Sequence, residues 1–320
     1  MGSGTGKAGY SHCVALYADA QARVESQHLL SNFFITTTGI SLMISHPLVI
    51  ALLGSTLVFP LNGDVASTGG NTATGDVRAV ATDYHLTLPD TLSAGRTTFH
   101  LLNRGREPHH LFLVRLLDGK TASDLAAAMK APGPFPSWAI PEGGPNAADP
   151  GSASLPTIVN LEAGHYAALC IIPGPDGVPH VMKGMIRDFV VEPSRQSASA
   201  ERAPDLTISL RDYAFQPSKT LAAGSHLVRV RNDGKQAHEV VITKLLPGKT
   251  PRELATWAEK MAGPPPAHFL GGVSPIAPGK SNDVELDLTP GHYVFLCFVP
   301  DAKDGKPHVE HGMVRDFVVN

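Results

Sequence analysis

The chain reads as an all-β protein, and three observations carry that reading. Short runs rich in β-branched and aromatic residues recur along it, among them FHLLN, LFLVRLL, HLVRVRN, EVVITKLL and a DFVV near the end of each half. The turn formers, 31 Gly and 27 Pro, fall between those runs in AG, RG, DG and PG steps, as they do where many short strands are joined by turns. The third observation is that one half of the chain repeats the other, so the strands belong to two units of the same kind.

The repeat runs end to end. DYHLTLPDTLSAG from Asp83 returns as DYAFQPSKTLAAG from Asp212, and LLDGKT from Leu116 as LLPGKT from Leu245. GGP from Gly143 matches GGV from Gly271, GHYAALC from Gly164 matches GHYVFLC from Gly291, and HVMKGMIRDFVV from His180 matches HVEHGMVRDFVV from His308. The expected domains are residues 76–193 and 206–320, joined by a polar, Ser/Ala-rich, proline-bounded linker at 194–205. Each is long enough to bury its own core. One helical segment interrupts the strands of each copy, SDLAAAMK from Ser123 and RELATWAEKM from Arg252, with Ser123 a candidate N-cap.

Residues 1–70 read as a leader. Between Ile40 and Leu61 the chain has no Lys, Arg, Asp or Glu, and an apolar core of the length of Pro47 to Phe59 suits the central region of a signal peptide. An uncleaved membrane anchor is the alternative, because the run approaches the ~20 residues that span a bilayer. Either reading predicts a periplasmic or secreted protein. The formal net charge of −3, from 26 Lys plus Arg against 29 Asp plus Glu, gives no electrostatic reason for a nucleic-acid partner. Three Cys, at 13, 170 and 297, exclude a disulfide-rich scaffold.

The chemistry-bearing residues also come in pairs. Cys170 ends an apolar strand, a Pro/Gly loop follows, then His180 and, after four residues, Met185; Cys297, His308 and Met313 repeat the arrangement. Upstream, His109 in EPHHLFLV aligns with His238 in QAHEVVI, each just after an Asn-x-Gly turn. Taken alone, either Cys reads as a small buried apolar residue. A disulfide between the copies would need both to meet within a narrow Cα separation. Recurring together, two imidazoles, a thiolate and a thioether are the soft donor set of a trigonal copper site with a weak axial Met.

At these residues the chain resembles the cupredoxin, or blue copper, family, in which G-x-Y-x-x-x-C is followed by a loop, a His and a Met. The resemblance implies two tandem Greek-key β-barrels, one copper per barrel held by His109, Cys170, His180 and Met185 and by His238, Cys297, His308 and Met313, and one-electron transfer with a redox partner protein. The Cys-to-His loop looks more like that of nitrite reductases and multicopper oxidases. Those enzymes set a His beside the ligand Cys, whereas the neighbours here are Leu169, Ile171, Leu296 and Phe298. The expectation is therefore that the chain is not an enzyme.

Other features take structural readings. His165 and His292, an odd number of residues before each Cys, face away from it, while Tyr166 and Tyr293 share its face as core aromatics. His110, Met182 and His311 have Glu239, Glu310 and Lys183 at the matching places and rank below the chosen ligands; His110 is the rival of His109. Val178, Val181 and Val309 are expected to form an apolar docking surface. Besides electron transfer, the same residues allow copper sequestration or delivery to an acceptor, and a metal-free pair of barrels serving as an interaction module is the third reading.

Overall fold

The fold comes from a computed structural model, which describes residues 75–131, 135–194, 202–261 and 263–320. The apolar run at 40–61 and most of the expected linker lie outside the described residues. Among the described residues no helix is long and apolar enough to cross a membrane.

The first repeat forms β1 (Asp76–Thr82), β2 (His85–Thr87), β3 (Thr91–Ser93), β4 (Gly95–Asn103), β5 (Phe112–Leu116), helix α1 (Ala122–Ala128), β6 (Ala139–Gly143), β7 (Thr157–Leu161), β8 (Gly164–Leu169) and β9 (Ile186–Glu192). The second forms β10 (Leu206–Arg211), β11 (Ala214–Pro217), β12 (Gly224–Asn232), β13 (His238–Leu245), helix α2 (Pro251–Lys260), β14 (Ala267–Ile276), β15 (Ser281–Leu288), β16 (Gly291–Leu296) and β17 (Val314–Val319). The protein is mostly β, as expected.

The strands make two sheets that run through both repeats. One has the order β11-β10-β12-β15-β7-β4-β1-β2 and the other β17-β16-β13-β14-β6-β5-β8-β9-β3. Apart from β3, which adds an edge strand to the second sheet, corresponding strands of the two repeats come in the same succession from either end, so the halves are related by a pseudo-two-fold axis. They meet where β7 pairs with its own counterpart β15 and β6 with β14, both antiparallel. The expected organisation was two barrels in tandem; the observed sheets are continuous across the junction.

Alternation explains which faces are buried. Along β4 every second side chain is buried, the period-2 pattern of a strand with one face on a core. Between the sheets lie two clusters, one per repeat, containing Tyr166, Cys170 and Met185 in the first and Tyr293, Cys297 and Met313 in the second. The last four residues of β8 are buried on both faces because Ala167 and Leu169 point the other way, under α1. Tyr166 and Tyr293 share the Cys face, as expected, and their hydroxyls donate to Glu162 O and Thr289 O at 2.8 Å.

Helix α1 is capped by Thr121, not by Ser123: its Oγ1 accepts from Asp124 N and Asp124 reaches back to Thr121 N. Thr250 and Glu253 make the same reciprocal cap on α2. Val181 packs with α1 and Val309 in the cluster under α2; both are buried, so the expected docking surface does not form from them.

The GG pairs find their reason at the junction. Gly144 and Gly272 have φ of 107° and 125°, and a Cβ on either would collide with a carbonyl of the neighbouring strand, Leu111 O or Val240 O. Their own carbonyls accept across the axis from Ser274 N at 2.8 Å and Asn146 N at 3.2 Å.

Candidate metal centres

Each first histidine is delivered by an Asn-x-Gly turn. Asn103 closes it, accepting from Gly105 N at 2.9 Å through Oδ1 and donating through Nδ2 to Glu107 O at 2.8 Å and Ala148 O at 2.9 Å. Asn232 makes the same set with Gly234, Gln236 and Ile276. The chain then enters the sheet with His109, or His238, fully buried.

Each second histidine opens a short 3-10 turn, His180–Lys183 or His308–His311, ended by a glycine in the left-handed region, Gly184 (φ 96°) or Gly312 (φ 86°). Met185 N donates to His180 O at 3.0 Å, and Met313 N to His308 O at 2.9 Å. The turn thus folds each Met back into the core cluster that contains the Cys of the same repeat.

The three donor types converge twice. His109, Cys170 and His180 offer ligand atoms that all lie within 4.8 Å of one another, and so do His238, Cys297 and His308. In the first centre His109 Nδ1 is 3.1 Å from His180 Nδ1, which is 3.5 Å from Cys170 Sγ. The second has 3.0 Å and 3.3 Å for the same contacts. Met185 and Met313 are fully buried in the surrounding cores. All eight expected site residues are therefore buried, in two groups, and His110 is not in the first.

The outer ring nitrogens explain why the inner ones face each other. His109 Nε2 and His238 Nε2 sit 2.9 Å from Asp83 Oδ1 and Asp212 Oδ1. His180 Nε2 is 2.7 Å from Glu107 Oε2. An imidazole that donates Nε2–H to a carboxylate presents a bare Nδ1, the form that binds a metal. In the first centre both rings are held this way, so two Nδ1 atoms 3.1 Å apart face each other beside the Cys170 sulfur, where a bound cation would offset their mutual repulsion. The donor set and its orientation therefore fit a soft, thiophilic ion such as copper.

Burial sets the protonation of the metal-free centres. The Cys170 thiol is pushed up to about 12 by burial, and burial together with the charge of Glu239 pushes Cys297 up as well. His308 is pushed down to about 4, by burial first and by His238 second; burial also lowers His180 and His238 against the pull of their carboxylates. Asp83 and Asp212 stay below the usual carboxylate range, because hydrogen bonds from their histidines and from backbone amides outweigh the effect of burial.

The sequence reading missed these carboxylates. Asp83 and Asp212 recur as the first residues of a repeated DY pair, a signal that was available, since a ligand histidine needs an acceptor behind it. Glu107 and Asp301 do not recur and could not be found that way.

No protein-family model matches the chain, and no curated protein matches it. Solved structures do. Dithionite-reduced auracyanin from the photosynthetic bacterium Roseiflexus castenholzii is 26% identical, over 36% of this chain and 94% of that one, with a TM-score of 0.26. A multicopper oxidase matches at 16% identity over 77% of this chain and 88% of that chain, TM-score 0.22. The copper-containing nitrite reductase of Thermus scotoductus matches at 12% over 77% and 60%, TM-score 0.21. The expectation that the chain is not an enzyme is corrected by these matches: the solved structures it is similar to include copper enzymes.

Proposed function

We propose that this cupredoxin-like chain is an extracytoplasmic copper protein that passes single electrons, with one mononuclear copper in each of two units, residues 76–193 and 206–320. The observation that carries the reading is the paired convergence of His, Cys and His, with both first-histidine rings held from behind by a carboxylate. His109, Cys170 and His180 would hold the first metal with Met185 as the weak axial ligand, and His238, Cys297, His308 and Met313 the second. Bound there, copper supplies a Cu(II)/Cu(I) couple at a site of fixed geometry.

The chain's own residues do the rest. Asp83, Asp212 and Glu107 fix ring orientation and tautomer. The two cores exclude water, so the donors are pre-arranged before metal enters. That burial favours electron transfer over delivery: handing an ion to an acceptor requires ligands an acceptor can reach, and all eight proposed ligands are inaccessible. The apolar run at 40–61 supports a location outside the cytoplasm, where a redox protein would be the partner.

A Cu(II) titration of the reduced protein, followed by visible absorption, tests the reading. Saturation near two equivalents with a thiolate-to-copper charge-transfer band, lost in the Cys170→Ser, Cys297→Ser double variant, is the expected result. Saturation at one equivalent would leave one working centre. No band and no tight binding would falsify the copper assignment and leave a metal-free interaction module.

A further inference from the structure

Both second histidines, His180 and His308, are fully buried, and the valine after each, Val181 or Val309, is buried too. An electron arriving from outside therefore has to cross a side chain that covers them. The same side chain stands there in both repeats. The ring of Tyr84 lies against that of His180, with centroids 5.0 Å apart and planes at 56°, and the ring of Tyr213 lies edge-on to that of His308 at 5.5 Å and 76°. Both tyrosines are half-buried, so each touches a histidine of its centre on one side and meets solvent on another.

The groups that hold the tyrosine differ between the repeats, whereas the ring contact does not. Tyr84 Oη accepts from Lys183 Nζ at 3.0 Å, and the same ammonium lies 4.5 Å from the ring centroid. His311 stands in the place of Lys183 and packs its own ring on Tyr213, centroids 4.9 Å apart. Tyr84 Oη donates to Glu107 Oε1 at 2.9 Å, and Glu107 Oε2 is 2.7 Å from His180 Nε2, so in the first repeat a chain of hydrogen bonds runs beside the ring contact. In the second, Tyr213 Oη donates to Asp301 Oδ2 at 2.5 Å, but Asp301 stops 3.8 Å from His308 Nε2, which has no hydrogen-bond partner among the described residues. The contact of ring on ring is the connection that the two centres share.

We propose that Tyr84 and Tyr213 are the points at which electrons enter the two centres, by tunnelling from a donor in contact with the tyrosine ring to the second histidine and on to the metal. This rests on the reading that the centres hold copper. Tunnelling decays steeply with the gap to be crossed, and two aromatic rings in contact leave one short gap between the surface and a ligand. One electron leaves the external donor and reduces Cu(II) to Cu(I); the tyrosine is neither oxidised nor reduced, and no proton moves. The repeated DY pair then serves each centre twice: Asp83 or Asp212 orients the first histidine, and the tyrosine after it connects the second histidine to the surface.

The test uses the full chain with one centre at a time, Cys297→Ser leaving the first and Cys170→Ser the second, and photoreduced flavin mononucleotide as the one-electron donor. Loss of the copper band after a flash gives a second-order rate constant, and the midpoint potential of each variant is measured so that rates are compared at equal driving force. Tyr84→Leu and Tyr213→Leu, which keep an apolar cover over the histidine but remove the ring, should each slow reduction at least tenfold with the absorption band and EPR signal unchanged. Tyr213→Phe keeps the ring contact and should restore the parent rate; Tyr84→Phe, which also breaks the hydrogen-bond chain, should fall between. In the metal-free protein, oxidised flavin mononucleotide added as a contact probe should shift the ring resonances of Tyr84 and Tyr213 in ¹³C NMR. Leu variants reduced as fast as the parent overturn the proposal, because the tyrosine then only covers the histidine, and so do flavin-induced shifts that spare both rings. Where leucine alters the band itself, the contact map decides alone. A parent protein without a copper band overturns the copper reading instead.

Discussion

Glu107 and Asp301 approach the second histidine of their respective centres from different parts of the chain. Glu107 precedes the first histidine and lies 2.7 Å from His180 Nε2; Asp301 sits in the Cys-to-His loop and stops 3.8 Å from His308 Nε2. Each carboxylate is held by the tyrosine of the repeated DY pair, Tyr84 Oη donating to Glu107 at 2.9 Å and Tyr213 Oη to Asp301 at 2.5 Å. Asp301 also accepts from Gln236, which stands where the first repeat has Glu107. The carboxylate has changed segments between the repeats, and in the second centre His308 Nε2 is left without a hydrogen-bond partner.

The two second histidines should therefore depend unequally on their carboxylates. Removing a partner behind a metal-bound histidine lowers affinity by roughly 10- to 100-fold. Glu107→Gln should lose that much copper affinity at the first centre, and Asp301→Asn less than about tenfold at the second, because no direct bond is broken. Competition titrations, each in the background of the other centre's Cys→Ser, measure both. Equal losses would contradict the difference in geometry.

The glycine of each Asn-x-Gly turn supports the first histidine by lacking a side chain. A Cβ on Gly105 would lie 2.5 Å from His109 Nε2, and one on Gly234 would lie 2.6 Å from His238 Nε2. Gly105→Ala should destabilise the fold by about 1–3 kcal/mol, the cost of overpacking. It should also weaken copper binding at the first centre and leave the second unchanged. Urea unfolding and the same titrations check both effects.

Much of this was legible in the sequence because it repeats. Periodic apolar runs marked the strands, and the matched His, Cys and His marked the residues that the fold gathers into two groups, because both copies repeat them. What escaped was what the repeat does not share. His110 and Glu239 differ in chemistry, yet each accepts the backbone N–H that follows the cysteine of its own repeat. Glu107 and Asp301 were invisible for the same reason. The continuity of the sheets could not be read either, because the edges of β6 and β7 pair with the second repeat through backbone groups that any sequence carries.

The repeats are also joined by charge. Arg96 of the first and Arg229 of the second converge on Asp283, 2% exposed, at 2.6 Å and 2.8 Å. Burial alone would raise this carboxyl; hydrogen bonds from the two guanidinium groups hold it below its ordinary 3.8. A carboxylate depressed on folding contributes stability that is complete above its unfolded value and is lost as pH falls through the folded one. Asp283→Asn should cost about 3–5 kcal/mol at neutral pH, as for other broken buried pairs. It should also remove part of the loss of stability that the wild type shows below about pH 4. Denaturant midpoints of the two proteins from pH 7 to pH 3 test both statements; parallel curves would place the pair outside the energetics of the junction.

The metal-free thiols predict how copper binding responds to pH. With Cys170 pushed up to about 12 by burial, its sulfur is protonated throughout the working range, and a metal that binds it as thiolate must displace that proton. His180 is lowered from 6.5, so above neutrality it has no further proton to lose. At the first centre, isolated by Cys297→Ser, one proton should leave per copper bound between about pH 7 and 9, and affinity should rise about tenfold per pH unit. Calorimetric titrations in buffers of different ionisation enthalpy count the protons. A count near zero above neutrality would mean that the sulfur is already a thiolate in the metal-free protein, and that a positive charge near Cys170 offsets the cost of its burial.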